Sequence, residues 1–166
     1  MFPSALQDEA ARLLDAFRVG AKRIATAESC TGGLVAALLT QIPGASDVVE
    51  RAFVTYSNAA KMEMLGVPAD LVAAHGAISE AVARAMAEGA LRASKADIAV
   101  SVTGIAGPGG GSATKPIGLV HLAAARTGGA TLHRECRFGA VSRDLVRLKS
   151  VEAALALLRE ALDQGD

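Results

Sequence analysis

Aromatic side chains are almost missing: the 166 residues hold no tryptophan, one tyrosine and four phenylalanines. That scarcity argues against a base-stacking platform for nucleic acid. Net charge is missing too, since 17 Lys and Arg balance 17 Asp and Glu. Without a basic excess there is no electrostatic case for nucleic acid or an anionic membrane as a partner. Long apolar runs are absent: residues 34–39 and 122–125 are among the longest, far below the roughly 20 residues of a bilayer-spanning helix. No basic segment followed by an apolar core opens the chain, which predicts no signal peptide. The only two cysteines, Cys30 and Cys136, are distant and lack metal-binding spacing. They read as free thiols of a reducing compartment, so the expected location is cytoplasmic. His75, His121 and His133 share no useful spacing with one another or with carboxylates. No metal and no cofactor are therefore expected, and the two later histidines read as structural groups on strands.

What is present is hydrophobic: 51% of the chain, dominated by Ala, Leu and Val, enough for one domain spanning residues 1–166. Leu6, Ala10, Leu13, Leu14 and Phe17 repeat at helical spacing over residues 4–19. Ser4 with Gln7 fits a capping box there, and Gly20 a left-handed helix stop. A strand is expected at 23–27, a helix at 31–41 and a turn at Pro43-Gly44. A second strand at 52–56 precedes a short helix at 59–65, capped by Ser57 or Asn58 and stopped by Gly66. Residues 68–74 suggest another short helix. Ser79 caps a longer one to residue 94, and 98–102 reads as a buried strand. Strands at 117–124 and 131–138 flank Gly128-Gly129 as an antiparallel hairpin, and Ser142 caps a last helix over 143–163. The alternation implies a single three-layer α/β/α domain with a mixed, mostly parallel sheet.

The most informative stretch is Thr26-Ala27-Glu28-Ser29-Cys30-Thr31-Gly32-Gly33. It joins a strand to a helix through small and polar residues. Hydroxyls and backbone N–H groups at a helix N-terminus favour negative charge, either a phosphate or a developing oxyanion. The plainer reading is a capped turn. Lys61 falls in the first turn of its short helix, where a cation opposes the helix dipole and burial would lower its pKa; the plainer reading is a solvent-facing lysine. The run from Gly107 to Ser112 reads as a loop, either a lid or a linker, and lacks the lysine of a P-loop. Arg143 and Arg147 near the start of the last helix read as solvated surface, Arg147 more so. Ligands of such sheets bind at the C-terminal strand ends. Three segments fall there: the turn after the first strand, Tyr56 to Lys61, and Thr103 to Gly107.

Four motifs carry a resemblance. Thr26-Ala27-Glu28-Ser29-Cys30-Thr31-Gly32-Gly33 is followed by Phe53-Val54-Thr55-Tyr56-Ser57-Asn58 with Lys61. Then come His75-Gly76-Ala77-Ile78-Ser79-Glu80 and Val102-Thr103-Gly104-Ile105-Ala106-Gly107-Pro108. In this order they resemble the CinA C-terminal domain family over nearly the whole chain. Longer members carry an extra N-terminal domain, which this sequence does not show. The resemblance implies hydrolysis of the carboxamide of nicotinamide mononucleotide to nicotinate mononucleotide and ammonia, a pyridine nucleotide salvage step. It maps the family's serine to Ser29, its lysine to Lys61 and its tyrosine to Tyr56, and places Thr103 and Arg143 in the site.

A mechanism fits these residue types. A serine hydroxyl is a weak nucleophile until a base takes its proton, and a lysine is a base only when neutral. Tyr56 would relay a proton or orient the pair. Backbone N–H groups at Cys30, Thr31, Gly32 and Gly33, or at Gly104 and Ile105, are oxyanion candidates. Arg143, Ser46 and the glycine turns are candidates for the 5′-phosphate. Cys30 is a rival nucleophile, since a helix N-terminus lowers a thiol pKa. Glu28 is either a cap that orients the turn or an acid/base group. The alternative of another class is a non-catalytic domain that binds pyridine nucleotides or docks to a partner. The wide apolar face of the last helix predicts a homo-oligomer, most simply a dimer.

Overall fold

Strand β1 (Ile24–Glu28) is buried at every position, which a strand achieves when helices cover both faces of its sheet. Its neighbours β2 (Val49–Val54) and β3 (Ile98–Gly104) both run parallel to it. The sheet continues through β4 (Leu119–Arg126) and β5 (Leu132–Arg137) in the order β2-β1-β3-β4-β5. The structure is a computed structural model and describes residues 2–165. β4 is antiparallel to β3 and to β5. Four strands therefore point one way and β4 alone runs against them, in a mixed, mostly unidirectional sheet.

Apolar alternation sorts the helices. Ile24, Val100, Val102, Val120 and Leu122 face α1 (Ser4–Val19), α2 (Leu34–Gln41) and α6 (Arg143–Asp163). Ala25, Ala27, Ala99, Ala123 and Ala125 face the other way, against α3 (Asn58–Leu65) and α5 (Glu80–Arg92). The helix α4 (Ala69–His75) closes that layer through Leu71 and Val72. The sheet side of this second face is built of alanines, and α5 packs Val82, Ala83, Met86, Ala87 and Ala90 against it. The helix approaches its neighbours so closely that a Cβ on Gly89 would collide with the carbonyl of Leu65.

The expected elements form, with corrections at their ends. No Ser4–Gln7 capping box exists: Pro3 occupies the N-cap position, and Gln7 Nε2 donates instead to Phe2 O at 2.8 Å. Gly20 is right-handed, with φ −76°, and the left-handed residue after α1 is Ala21, with φ 48°. The helix α2 starts at Leu34 rather than Thr31, because Gly32 and Gly33 take φ values of 60° and 97° that no helix contains. β2 ends at Val54 rather than Tyr56, since parallel register ties Val54 to Glu28, the last residue of β1. The hairpin of β4 and β5 and the Ser142-capped α6 stand where the sequence puts them, within two residues. No helix among the described residues is long and apolar enough to cross a membrane.

On the α5 face, His121 of β4 and His133 of β5 join ring to ring, Nδ1 to Nε2, at 3.0 Å. Such a bond needs one neutral acceptor nitrogen. Glu135 lies 3.9 Å from His121 and Glu80 3.6 Å from His133. Burial pushes both imidazoles below their ordinary range, against the pull of these carboxylates and with opposing cations at Arg84 and Lys115. The folded protein thus binds fewer protons here than the unfolded chain, so stability is complete above the unfolded value of about 6.5. It is lost as pH falls through the lower folded values. The expected outcome is a melting temperature that drops on acidification from about pH 7, with a shallower drop in His133→Gln. Equal slopes for the two proteins in pH-dependent thermal melts would refute the assignment.

Candidate functional site

Glu28 ends β1 pointing into the protein, with no exposed surface. Its carboxylate accepts the N–H groups of Gly33 at 3.1 Å, Val35 at 3.0 Å and Ala36 at 2.9 Å, and the hydroxyl of Thr26 at 3.2 Å. These are the orphan donors of the first turn of α2, so Glu28 caps that helix from within and complements its dipole. The cap reading holds, and the carboxylate has no path to the cleft.

The next residue, Ser29, is locked by its own backbone. Its N–H donates to Val102 O at 2.9 Å, and its carbonyl accepts from Gly32 N–H at 3.0 Å. Its hydroxyl accepts from Lys61 Nζ at 3.0 Å. Lys61 comes from α3, where Ser57 Oγ caps the helix by accepting from Ala60 N–H and Gly66, with φ 65°, stops it. The lysine is 1% exposed and also donates to Thr55 O at 2.9 Å. No carboxylate pairs with it among the described residues. Burial lowers its pKa from the ordinary lysine value, which makes the neutral amine accessible. The solvent-facing reading of Lys61 is overturned.

The cleft at this pair encloses about 200 Å³. All three strand-end segments line it: Ser29 and Cys30, then Tyr56, Asn58 and Lys61, then Thr103, Gly104 and Ala106. Ala77 and Ile78 add a wall, tethered by Thr103 Oγ1 donating to Ala77 O at 2.9 Å. Arg143, the first residue of α6, crosses the mouth. It donates to Tyr56 OH at 3.0 Å and to Gly107 O at 2.8 Å. Tyr56 is thus bonded to Arg143 rather than to Ser29 or Lys61, and stands on the rim with 63% exposure.

Several expected site residues sit elsewhere. Ser46 lies in the short turn Ala45–Asp47, after α2, because that helix carries the chain back to the N-terminal ends of β1 and β2, opposite the cleft. Ile105 spends its N–H on Leu119 O at 2.9 Å, and its buried side chain stays out of the cleft. Gly32 and Gly33 use their N–H groups inside the turn, as donors to Ser29 O and to Glu28. Thr31 is fully buried. Gly104 is a close-approach glycine, since a Cβ there would strike the backbone of β4 at Leu119 and Val120. The Cys30 thiol is buried and pushed up to about 12 by loss of solvation, which works against a thiolate there. The glycine run of residues 109–111 does not line the cleft.

Arg147, read from the sequence as solvated surface, is instead half-buried. Its Nε donates to Cys30 O at 3.2 Å and its Nη2 to Thr31 O at 3.0 Å. The available signal was its i+4 spacing from Arg143 on one helix face.

The profile of the CinA C-terminal domain family matches residues 6–162. A CinA-like protein of Mycobacterium sp. (strain JLS) is 51% identical over 162 residues, covering 98% of this chain and 37% of its own. A CinA-like protein of Anaeromyxobacter dehalogenans (strain 2CP-1 / ATCC BAA-258) is 55% identical over 141 residues, 85% of this chain and 34% of its own. The chain thus spans about a third of the length of these curated relatives. The solved competence/damage inducible protein CihA from Agrobacterium tumefaciens superposes with TM-score 0.95 at 50% identity, covering 98% of each chain. The competence damage-inducible protein A (ComA) from Klebsiella pneumoniae subsp. pneumoniae MGH 78578 gives 0.90 at 37% identity, over 95% of this chain and 97% of that one.

The Glu28 cap yields a prediction. Glu28→Gln replaces one acceptor oxygen by an NH₂ group that faces N–H donors. The expected loss is on the order of 3 kcal/mol in urea denaturation. A loss below about 0.5 kcal/mol would show that the cap carries no such weight.

Proposed function

The chain belongs to the CinA C-terminal domain family, and from that membership and the Ser29–Lys61 pair we propose that it hydrolyses the carboxamide of nicotinamide mononucleotide to nicotinate mononucleotide and ammonia. The single observation that carries this reading is a buried lysine nitrogen 3.0 Å from a serine hydroxyl in a cleft. A lysine without a paired carboxylate, lowered in pKa by burial, is equipped to act as a base rather than as half of an ion pair.

Neutral Lys61 takes the Ser29 proton as Oγ bonds to the amide carbon, and the carbonyl π pair moves onto oxygen. When that pair returns, the C–N bond breaks. The Lys61 ammonium protonates the leaving nitrogen, which departs as ammonia, and Lys61 is neutral again. Water then attacks the acyl-serine ester, giving a proton to Lys61. As the ester C–O bond breaks, that proton returns to Ser29 Oγ and the acid product leaves. This sequence needs no metal and no cofactor. Arg143, a cation at the cleft mouth, is placed to receive the 5′-phosphate, while Tyr56 holds the Arg143 guanidinium. Thr103 acts through Ala77, fixing the wall of the cleft.

Ammonia release from nicotinamide mononucleotide tests the reading, with chelator present and absent. Ser29→Ala and Lys61→Met are each expected to lower kcat by roughly 10³-fold or more. The base must be neutral, so wild-type kcat rises with pH through the pKa of Lys61, at a midpoint below that of free lysine, about 10.4. Folded wild type that binds the nucleotide and releases no ammonia would replace this reading with a non-catalytic pyridine-nucleotide-binding domain.

A further inference from the structure

Arg147 lies one turn beyond Arg143 on α6, does not line the cleft, and is half-buried against the turn that follows β1. Its guanidinium spans two successive carbonyls, those of Cys30 and Thr31. A trans peptide is planar, so its carbonyl and its N–H point in opposite directions. The Thr31 carbonyl is drawn toward α6, which fixes the Thr31–Gly32 peptide and with it the direction of the Gly32 N–H. The neighbouring peptide is fixed in the same manner: Gly32 N–H holds the Ser29 carbonyl, which sets the direction of the Cys30 N–H.

The turn has five N–H groups from Ser29 to Gly33. Ser29 donates to Val102, Gly32 to Ser29 and Gly33 to Glu28. Among the described residues, the N–H groups of Cys30 and Thr31 have no hydrogen-bond partner. Thr31 has no exposed surface whereas Cys30 lines the cleft, so the Cys30 N–H is the unpaired donor a substrate can reach.

We infer that Arg147 is a positioning residue, which holds the turn through the Cys30 and Thr31 carbonyls so that the Cys30 N–H receives the oxyanion when Ser29 attacks the amide. The inference rests on the amidase reading above. As Ser29 Oγ bonds to the carbonyl carbon and its proton passes to Lys61, the π pair settles on the carbonyl oxygen. The donor for that oxygen is the Cys30 N–H, which follows Ser29 directly and belongs to a residue that lines the cleft. A guanidinium suits the task because its rigid fork reaches both carbonyls at once, which an ammonium on a flexible stem does not.

The test compares full-length wild type with Arg147→Met and Arg147→Lys, measuring kcat, KM and the pH midpoint for ammonia release, beside thermal melts. Arg147→Met is expected to lower kcat by about 10²-fold, with KM and the pH midpoint unmoved. Arg147→Lys keeps the charge and most of the packing, folds as wild type does, and is expected to lose about 10-fold in kcat. If either variant keeps kcat within about twofold, or loses activity through KM alone, Arg147 does not set the oxyanion donor. If Arg147→Met fails to fold, Arg147→Lys decides the matter by itself. Absence of ammonia from wild type would overturn the amidase reading and the inference together, whereas normal wild-type turnover with unaffected variants overturns the inference only.

Discussion

A carboxylate sealed from solvent holds the first turn of a helix, and the rest of the cleft is arranged around that contact. Glu28 gathers three backbone N–H groups of α2 and the Thr26 hydroxyl. An ionised group without exposure is tolerable only when hydrogen bonds replace its water. The helix N-terminus provides those bonds, and a favourable dipole with them. The geometry this imposes is tight: Ser29 follows directly, and the chain must reverse within four residues to present α2 to its own preceding strand. Two consecutive positive-φ glycines make that reversal. The serine is therefore placed by constraints on both sides of it rather than by contacts of its own side chain.

The partner of that serine arrives from the other layer. Ser29 belongs to the turn that feeds α2, packed with α1 and α6, while Lys61 belongs to α3, packed with α5. Nothing local joins them. They meet because the sheet separates the two helical layers by a fixed distance and the ends of β1 and β2 coincide in register, Glu28 beside Val54. The contact is thus a property of the assembled domain. Arg143 and Arg147 extend the same principle, since one helix of the first layer braces the turn and bridges to Tyr56 on the far rim.

The fold was legible because apolar periodicity and caps are local signals. Ser142 before a broad apolar stripe gives α6 its observed bounds, and Ser57 with Gly66 delimits α3. The convergence of three strand-end segments was legible too, as a consequence of topology. Burial of Lys61 was not: Asn-Ala-Ala-Lys-Met-Glu-Met reads as surface, and only the packing of Leu65 under α5 turns the lysine inward. Ser46 and Ile105 show the opposite failure. Both are near the motifs in sequence, yet α2 carries one to the opposite ends of the strands and a bond to Leu119 occupies the other. Arg147 reads as solvated surface because a helix arginine carries no sequence mark of the carbonyls it will meet.

The alanine-lined face of the sheet couples core volume to cleft shape. Ala25, Ala27, Ala99, Ala123 and Ala125 let α5 settle close to the strands, so no slack remains for a branched side chain. A larger residue at any of these positions displaces the helix as a rigid body, and its N-terminus carries the segment that includes Ala77 and Ile78. The leucine-rich opposite face bears on the cleft by another route, through α6 and its Arg143 at the mouth. The smallness of the alanine side chains acts as a gauge, fixing the width of the cleft from more than one layer away.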